Sequence, residues 1–439
     1  MRPNTGLRTK PGRAPACIWI LALVSLAPFI VYHRYFADLL WFGDEWDLLD
    51  QISRQGFTPW VAHVFAENFV PLFKILWGGL ALLGGGSYIG MLTVLWLTHA
   101  LTVALLGDIL RDSDFGPVST VLTLSVFGLA SCNIETLAWS VQWSAVLSCV
   151  FFCAAVAWFN RRFEANVPMR TLDLAVLSLL CAASALSFSR GVLTGIVLAV
   201  FCFAEQPAVI RKTWRHRAVT ALACLLPSIV TSLIIILQSS GNHQHLLEDH
   251  NLLAAVRFAS ACFGLNPFLK LLGFTSLAPA AVMIASLLKL GLIAHGLCWT
   301  QGKIFRLLLL LLLFDLGSCA LLGIGRYHTG LEAALSSRYQ YTSLICSVPF
   351  LGIAMERLLA LWTRPLLRLT LTGLVILLFS FLAAHRWGDE IRAFSGWRGR
   401  EARHTLFVDL DPPADNAVPG IPFMPTTRAK ELIKEYNLH

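Results

Sequence analysis

Charge is what this sequence has least of. Only 14% of its residues are Asp, Glu, Lys or Arg, where a soluble domain carries about 25%. That deficit excludes the two or three soluble domains that 439 residues would otherwise suggest. Also missing is any CxxC pair. Most of the 11 cysteines, among them Cys149, Cys153, Cys181, Cys202 and Cys319, lie inside apolar runs, where cysteine is a small hydrophobe. A metal cluster or disulfide framework is therefore not expected. No stretch interleaves basic and aromatic residues as a nucleic-acid groove does, so the net charge of +8 does not point to nucleic acid. No small-x-small cleavage site follows the first apolar run, near 17–37, which reads as an uncleaved span behind a basic N-terminus (Arg2, Arg8, Lys10, Arg13). There is no internal repeat or low-complexity tract.

What is present is apolar residues, 56% of the chain, with a mean hydropathy of +0.67. They recur in runs close to the ~20 residues that cross a bilayer. The runs fall near 17–37, 70–86, 87–110, 116–131, 141–159, 171–188, 190–204, 218–238, 252–273, 277–298, 306–324, 340–355 and 367–384. Basic clusters separate them: the N-terminus, Arg161/Arg162/Arg170, Arg211/Lys212/Arg215/Arg217, Lys303/Arg306 and Arg357/Arg364/Arg368. Placing every cluster on the cytoplasmic side requires that 70–86 and 252–273 do not span. The second of these contains Arg257, Asn266, Pro267 and Lys270, poor residues for a free span. The expectation is an all-α polytopic bundle of about eleven spans in the cell's inner membrane. A cytoplasmic N-terminus (1–16) precedes a transmembrane domain (17–384), and a short non-cytoplasmic tail (385–439) follows. The outer side then collects 38–69, 132–140, the Ser187–Arg190 turn, 239–256, 325–339 and the tail, which points to a site at the outer membrane face.

Four elements carry candidate chemistry. Trp41-Phe42-Gly43-Asp44-Glu45-Trp46-Asp47 follows the first span directly. One of its carboxylates can act as a general base while a neighbour supports it or a metal, and burial among aromatics raises a carboxylate pKa. The bland alternative is an interfacial loop anchored by tryptophans. His63 and Glu67 share a helix face by their i,i+4 spacing, with Asn68 next and Lys74 at the membrane surface; the alternative is an amphipathic helix with Lys74 snorkelling. Glu135, Trp139 and Gln142 fall on one helical face at the mouth of a span, where they line a cavity or cap a helix. Gly325-Arg326-Tyr327-His328 and Ser336-Ser337-Arg338-Tyr339 place arginines beside aromatics on the side that the positive-inside trend leaves poor in cations, which suits a phosphate held near lipid.

Gly43-Asp44-Glu45-Trp46 just after the first span resembles the acidic motif of GT-C glycosyltransferases. His63-x-x-x-Glu67-Asn68, Glu135-x-x-x-Trp139-x-x-Gln142 and Arg338-Tyr339 are similar to elements of related bacterial membrane proteins, and the likeness covers roughly 17–384. The resemblance implies transfer of a sugar from a polyprenyl-phosphate carrier to an envelope glycan, lipid or protein acceptor on the outer leaflet, with inversion at the anomeric carbon. Asp44 would be the base, Glu45 would support it or a divalent cation, and Glu135 would be the second acidic group. Asp44 and Glu135 are the candidate metal ligands. Arg338, with Lys74 or Arg326, would hold the leaving phosphate, and His63, Glu67, Asn68, Trp139, Gln142 and Tyr339 would complete the substrate site. A His-Pro-Pro step common in such proteins is replaced here by Glu67-Asn68-Phe69-Val70-Pro71. The cofactor is unknown, with a divalent cation as the candidate; the expected partners are membrane lipid and the lipid-linked sugar.

The competing readings are a transporter or flippase of lipid-linked saccharides and an O-antigen ligase or polymerase. A transporter concentrates polar groups at mid-membrane. Here the polar motifs sit at span ends, and Lys289 and Asp315 are the intramembrane exceptions. They fall at equal depth on two runs joined by a short basic connector, which predicts a structural ion pair.

Overall fold

A computed structural model describes residues 14–65, 68–164, 169–204, 214–238, 251–274, 276–408 and 424–439. Glu67, the basic N-terminus through Arg13, Arg211 and Lys212, 239–250 and the prolines 412, 413, 419 and 422 lie outside the described residues. Among the described residues the chain is helical without β-strands, apart from an isolated bridge between Phe65 and Asn68. The fold is that of an all-α membrane protein. Seven helices are long and apolar enough to cross a bilayer, or eight if the bent pair Pro117–Leu129 and Ser131–Leu137 is one span.

The two runs expected not to span are short helices. Pro71–Leu83 has 13 residues and Leu252–Leu265 has 14. At 1.5 Å per residue each reaches roughly 20 Å, against the ~30 Å of the hydrocarbon core. The first span is broken into Ala14–Val24, Ala27–Val31 and His33–Asp38. The break at Ser25–Leu26 precedes Pro28, which lacks the N–H that an unbroken helix would use.

Large apolar side chains cover the outside: Leu366, Leu369, Leu377 and Phe381 of helix Pro365–Phe394, and Leu222, Leu233 and Leu237 of Trp214–Gln238, are all exposed. Such a surface suits lipid, not water. Helix Pro365–Phe394 runs through the expected boundary at 384 without interruption and continues in wide turns over Ser395–Glu401. The tail then returns to the first loop. Arg428 bonds Asp50 at 2.7 Å and Ser53 at 2.9 Å, and the His439 amide bonds Gly86 O at 3.2 Å. The described parts of the tail, 385–408 and 424–439, are thus packed into the fold.

Opposite charges meet at the end of the helices that carries the basic connectors. Arg161 pairs with Asp112 at 2.6 Å, Arg162 with Asp173 at 3.1 Å, and Arg368 with Glu356 at 3.4 Å. The predicted buried pair also forms. Lys289 Nζ lies 2.7 Å from Asp315 and donates to Asn266 O at 2.7 Å, while Ser343 Oγ donates to the other Asp315 oxygen at 2.9 Å.

Candidate functional site

The other end of the helices holds a cavity of about 330 Å³. That volume is at the low end of the ~300–1,000 Å³ of small-molecule sites. Its walls come from five stretches far apart in sequence, represented by Asp44 and Asp47, by Phe65, Asn68 and Phe73, by Val141 and Gln142, by Phe188 and Arg190, and by Leu321, Arg326 and Arg338. Loops that the charge clusters assign to one membrane face therefore meet around one space.

Asp44 gets its position from Gly43. Gly43 has φ +54°, which a side chain rarely adopts, and a Cβ there would meet the Trp139 ring at 3.2 Å. Trp139 donates Nε1–H to Phe42 O at 3.1 Å and so fixes the turn from behind. Helix Asp44–Gln55 starts at once, with Asp44, Glu45 and Asp47 in its first turn, where the helix dipole favours negative charge. Asp44 is exposed at the cavity, with protein packed around the rest of its surroundings. That loss of solvent raises its carboxyl above the usual range, and Arg338, then Arg326, pull it back. Asp47 is raised as well, by burial and then by Asp44 and Asp50.

Arg338 stands on a turn held from three sides. Glu135 accepts from Ser336 Oγ at 2.7 Å and from the Arg338 amide at 3.2 Å. Lys270 donates to Ser337 Oγ at 2.7 Å, and Gln340 bonds Asn266 Oδ1 at 2.7 Å. The guanidinium lies over the Tyr339 ring at 5.2 Å, and its buried Nε has no hydrogen-bond partner. Arg326 ends helix Gly302–Arg326 on the same wall. Gln142, Asn68 and Tyr339 line the cavity too, and the buried Oδ1 of Asn68 has no partner.

Several expected site residues stand elsewhere. Glu45 is fully buried beside the cavity, not in its lining. It accepts from Ser140 Oγ at 2.5 Å, Phe42 N–H at 2.7 Å and Val141 N–H at 3.1 Å. Burial pushes its pKa up to about 7, while Ser140 and the nearby Arg398 oppose the rise. Lys74 neither snorkels nor reaches the cavity. Its buried ammonium donates to Trp60 O at 2.7 Å and His63 O at 2.9 Å. Helix Phe57–Ala62 ends with His63 as an extended, exposed cap, so the expected helix does not continue through His63, and Glu67 lies outside the described residues. Glu135 holds the Arg338 turn and is not in the lining, and Trp139 backs the Gly43 turn.

A divalent cation is the candidate cofactor, with Asp44 and Glu135 as its expected ligands. Among the described residues no three His, Cys, Asp or Glu side chains gather to hold one, and the carboxylate of Glu135 is engaged by the 336–338 turn. Two lining residues were not singled out from the sequence: Asp47, one turn after Asp44, and Arg190. The available signal for Arg190 was an arginine between two apolar runs on the face assigned to the outside.

No protein-family model matches the chain, and no curated protein does. Among solved structures it is similar to the apo oligosaccharyltransferase of Archaeoglobus fulgidus, with 13% identity and a TM-score of 0.45 over 95% of this chain. The chain spans 61% of that protein's length. A likeness of that degree supports no argument about fold or activity.

Proposed function

We propose that the chain is a GT-C-type glycosyltransferase that takes a sugar from a polyprenyl-phosphate donor at the outer face of the cytoplasmic membrane. The observation that carries this reading is the meeting, in one cavity, of an accessible carboxylate with guanidiniums that form no direct ion pair with a carboxylate among the described residues. Asp44 accepts the proton of an acceptor hydroxyl. The hydroxyl oxygen attacks the anomeric carbon from the face opposite the phosphate, and the C1–O bond breaks with its electron pair leaving on the lipid phosphate. Arg338 and Arg326 stabilise that developing charge, the largest source of rate gain in such a step. Glu135 acts by orienting Arg338, Glu45 by fixing the loop that carries Asp44, and no step passes through a metal. With Pro71–Leu83 and Leu252–Leu265 taken as not spanning and the remaining apolar helices taken as spans, the chain makes about eleven crossings with the cavity facing outward.

A transporter is the second reading. The Lys289–Asp315 pair at mid-membrane speaks for it, but that pair is saturated by Asn266 and Ser343 and does not line the cavity. The discriminating experiment is mass spectrometry of envelope glycans and lipid-linked sugars from cells with and without the protein. Glycosyl transfer predicts that one sugar disappears from a glycan while its lipid-linked form accumulates. An unchanged glycan profile would contradict it.

A further inference from the structure

Arg190 is 5% exposed, yet it lines the cavity. Its buried Nε has no hydrogen-bond partner, and no ion pair joins it to a carboxylate among the described residues. The Phe188 ring beneath the guanidinium, at 4.8 Å, supplies a cation–π contact but no acceptor. A buried cation left in this way destabilises the fold unless something else uses it.

The turn that carries it is built to be rigid. Ser189–Gly191 forms a single 3₁₀ turn between helices Thr171–Ser187 and Val192–Ala204, closed by Gly191 N–H to Phe188 O at 2.8 Å. At Gly191 the backbone passes so close to Ser184 O that no side chain would fit. Below it, Ser184 donates to Ser148 O at 3.0 Å and shares a hydroxyl bond with Thr194 at 2.8 Å. The arginine is therefore held in place before any ligand arrives, as a binding group should be.

Its neighbours set the ligand's chemistry. Arg190, Arg326 and Arg338 face Asp44 and Asp47 across the cavity, leaving one positive charge in excess when both carboxylates are ionised. Leu321, Leu322 and Phe188 give the same wall an apolar flank. We propose that Arg190 is a third anion-binding residue and contacts the phosphate that links the donor sugar to its lipid. Glycosyl transfer enters only in naming a lipid as the source of the phosphate; the anion site stands on the geometry.

The test uses the full chain in phosphatidylcholine nanodiscs, titrated separately with undecaprenyl phosphate, undecaprenol and glucose 1-phosphate. Undecaprenyl phosphate should bind and undecaprenol should not. Arg190→Gln should weaken the phosphate-dependent binding by at least ~10-fold, Arg190→Lys should restore part of it, and Arg392→Gln should change nothing. In the absence of a phosphate ligand, Arg190→Gln should melt at or above the wild-type temperature, because it removes an unpartnered buried charge. A purely structural arginine would lower it. Equal binding of undecaprenyl phosphate by wild type and Arg190→Gln, or no phosphate-dependent binding by either, would overturn the proposal. Arg190-dependent binding of glucose 1-phosphate without undecaprenyl phosphate would keep the anion site and remove the lipid-linked donor.

Discussion

Two regions of this molecule hold charge away from bulk water, and they treat it in opposite ways. In the helix core Lys289 and Asp315 neutralise one another, and the remaining donors and acceptors find Asn266 and Ser343. At the loop end, Arg190 and Arg338 each keep a buried Nε without a partner, and Asp44 and Asp47 face open space. Burial of charge alone therefore does not mark a site, and neither does an orphaned Nε alone, which Arg398 also keeps; the two together on a cavity wall do. Glu45 makes the same point within one motif. It adjoins Asp44 and is the more deeply buried of the two, yet three strong donors satisfy it. The two regions are also connected, since Asn266 accepts from Lys289 through its backbone and from Gln340 through its side chain, beside the turn that presents Arg338.

The largest contrast should appear on substituting one aspartate in each region. Asp44→Asn keeps the shape and removes the base, so transfer should fall by about 10²–10⁴-fold, with the melting temperature unchanged, in a donor–acceptor assay. Asp315→Asn should do the reverse. Leaving Lys289 buried without its counter-charge should cost about 3–5 kcal/mol, read from unfolding in detergent micelles. Removing both charges together, as Lys289→Met with Asp315→Leu, should recover most of that loss. If the double variant is no better than the single one, the pair is not an isolated structural unit.

Glu45 gives the next effect. Its folded pKa is raised from 4.5 to about 7, so the folded state holds a proton that the unfolded state has released. Stability should then fall as pH rises from about 5 toward 8, by an amount on the order of 3 kcal/mol, and Glu45→Gln should flatten the profile. The smallest effect concerns Asp44. It must be ionised to act, so activity should decline as pH falls through its raised pKa. Arg338→Gln removes the stronger of its two charge partners and should move that acid limb to higher pH in whatever residual rate remains.

Much of the contrast could be read from the sequence, because it depends on spacing. Equal depth on two runs joined by a short connector is enough to pair Lys289 with Asp315. Poor span residues and charge asymmetry set 70–86 and 252–273 apart, and they fold as helices of 13 and 14 residues, as short as Val192–Ala204. The misplacements share one cause: local pattern does not say which way a side chain turns once other segments arrive. Lys74 sits at a membrane-facing helix start but finds the Trp60 and His63 carbonyls. Glu45 is chosen by Ser140 and Val141 from a distant loop. The tail reads only as a short non-cytoplasmic segment, and nothing in its sequence indicates that Arg398 lies over the Phe42 ring at 4.0 Å, one residue from the Gly43 turn. Arg190 was passed over because a single arginine in a four-residue turn looks like a connector until its surroundings show no partner.

The rule that unpartnered charges serve a ligand while partnered ones hold the fold can be tested in one thermal melt. The variant Arg190→Gln/Arg326→Gln/Arg338→Gln, in phosphatidylcholine nanodiscs without polyprenyl phosphate, should unfold at or above the wild-type temperature. A fall comparable to that of Asp315→Asn would contradict the rule and return the three arginines to the structure.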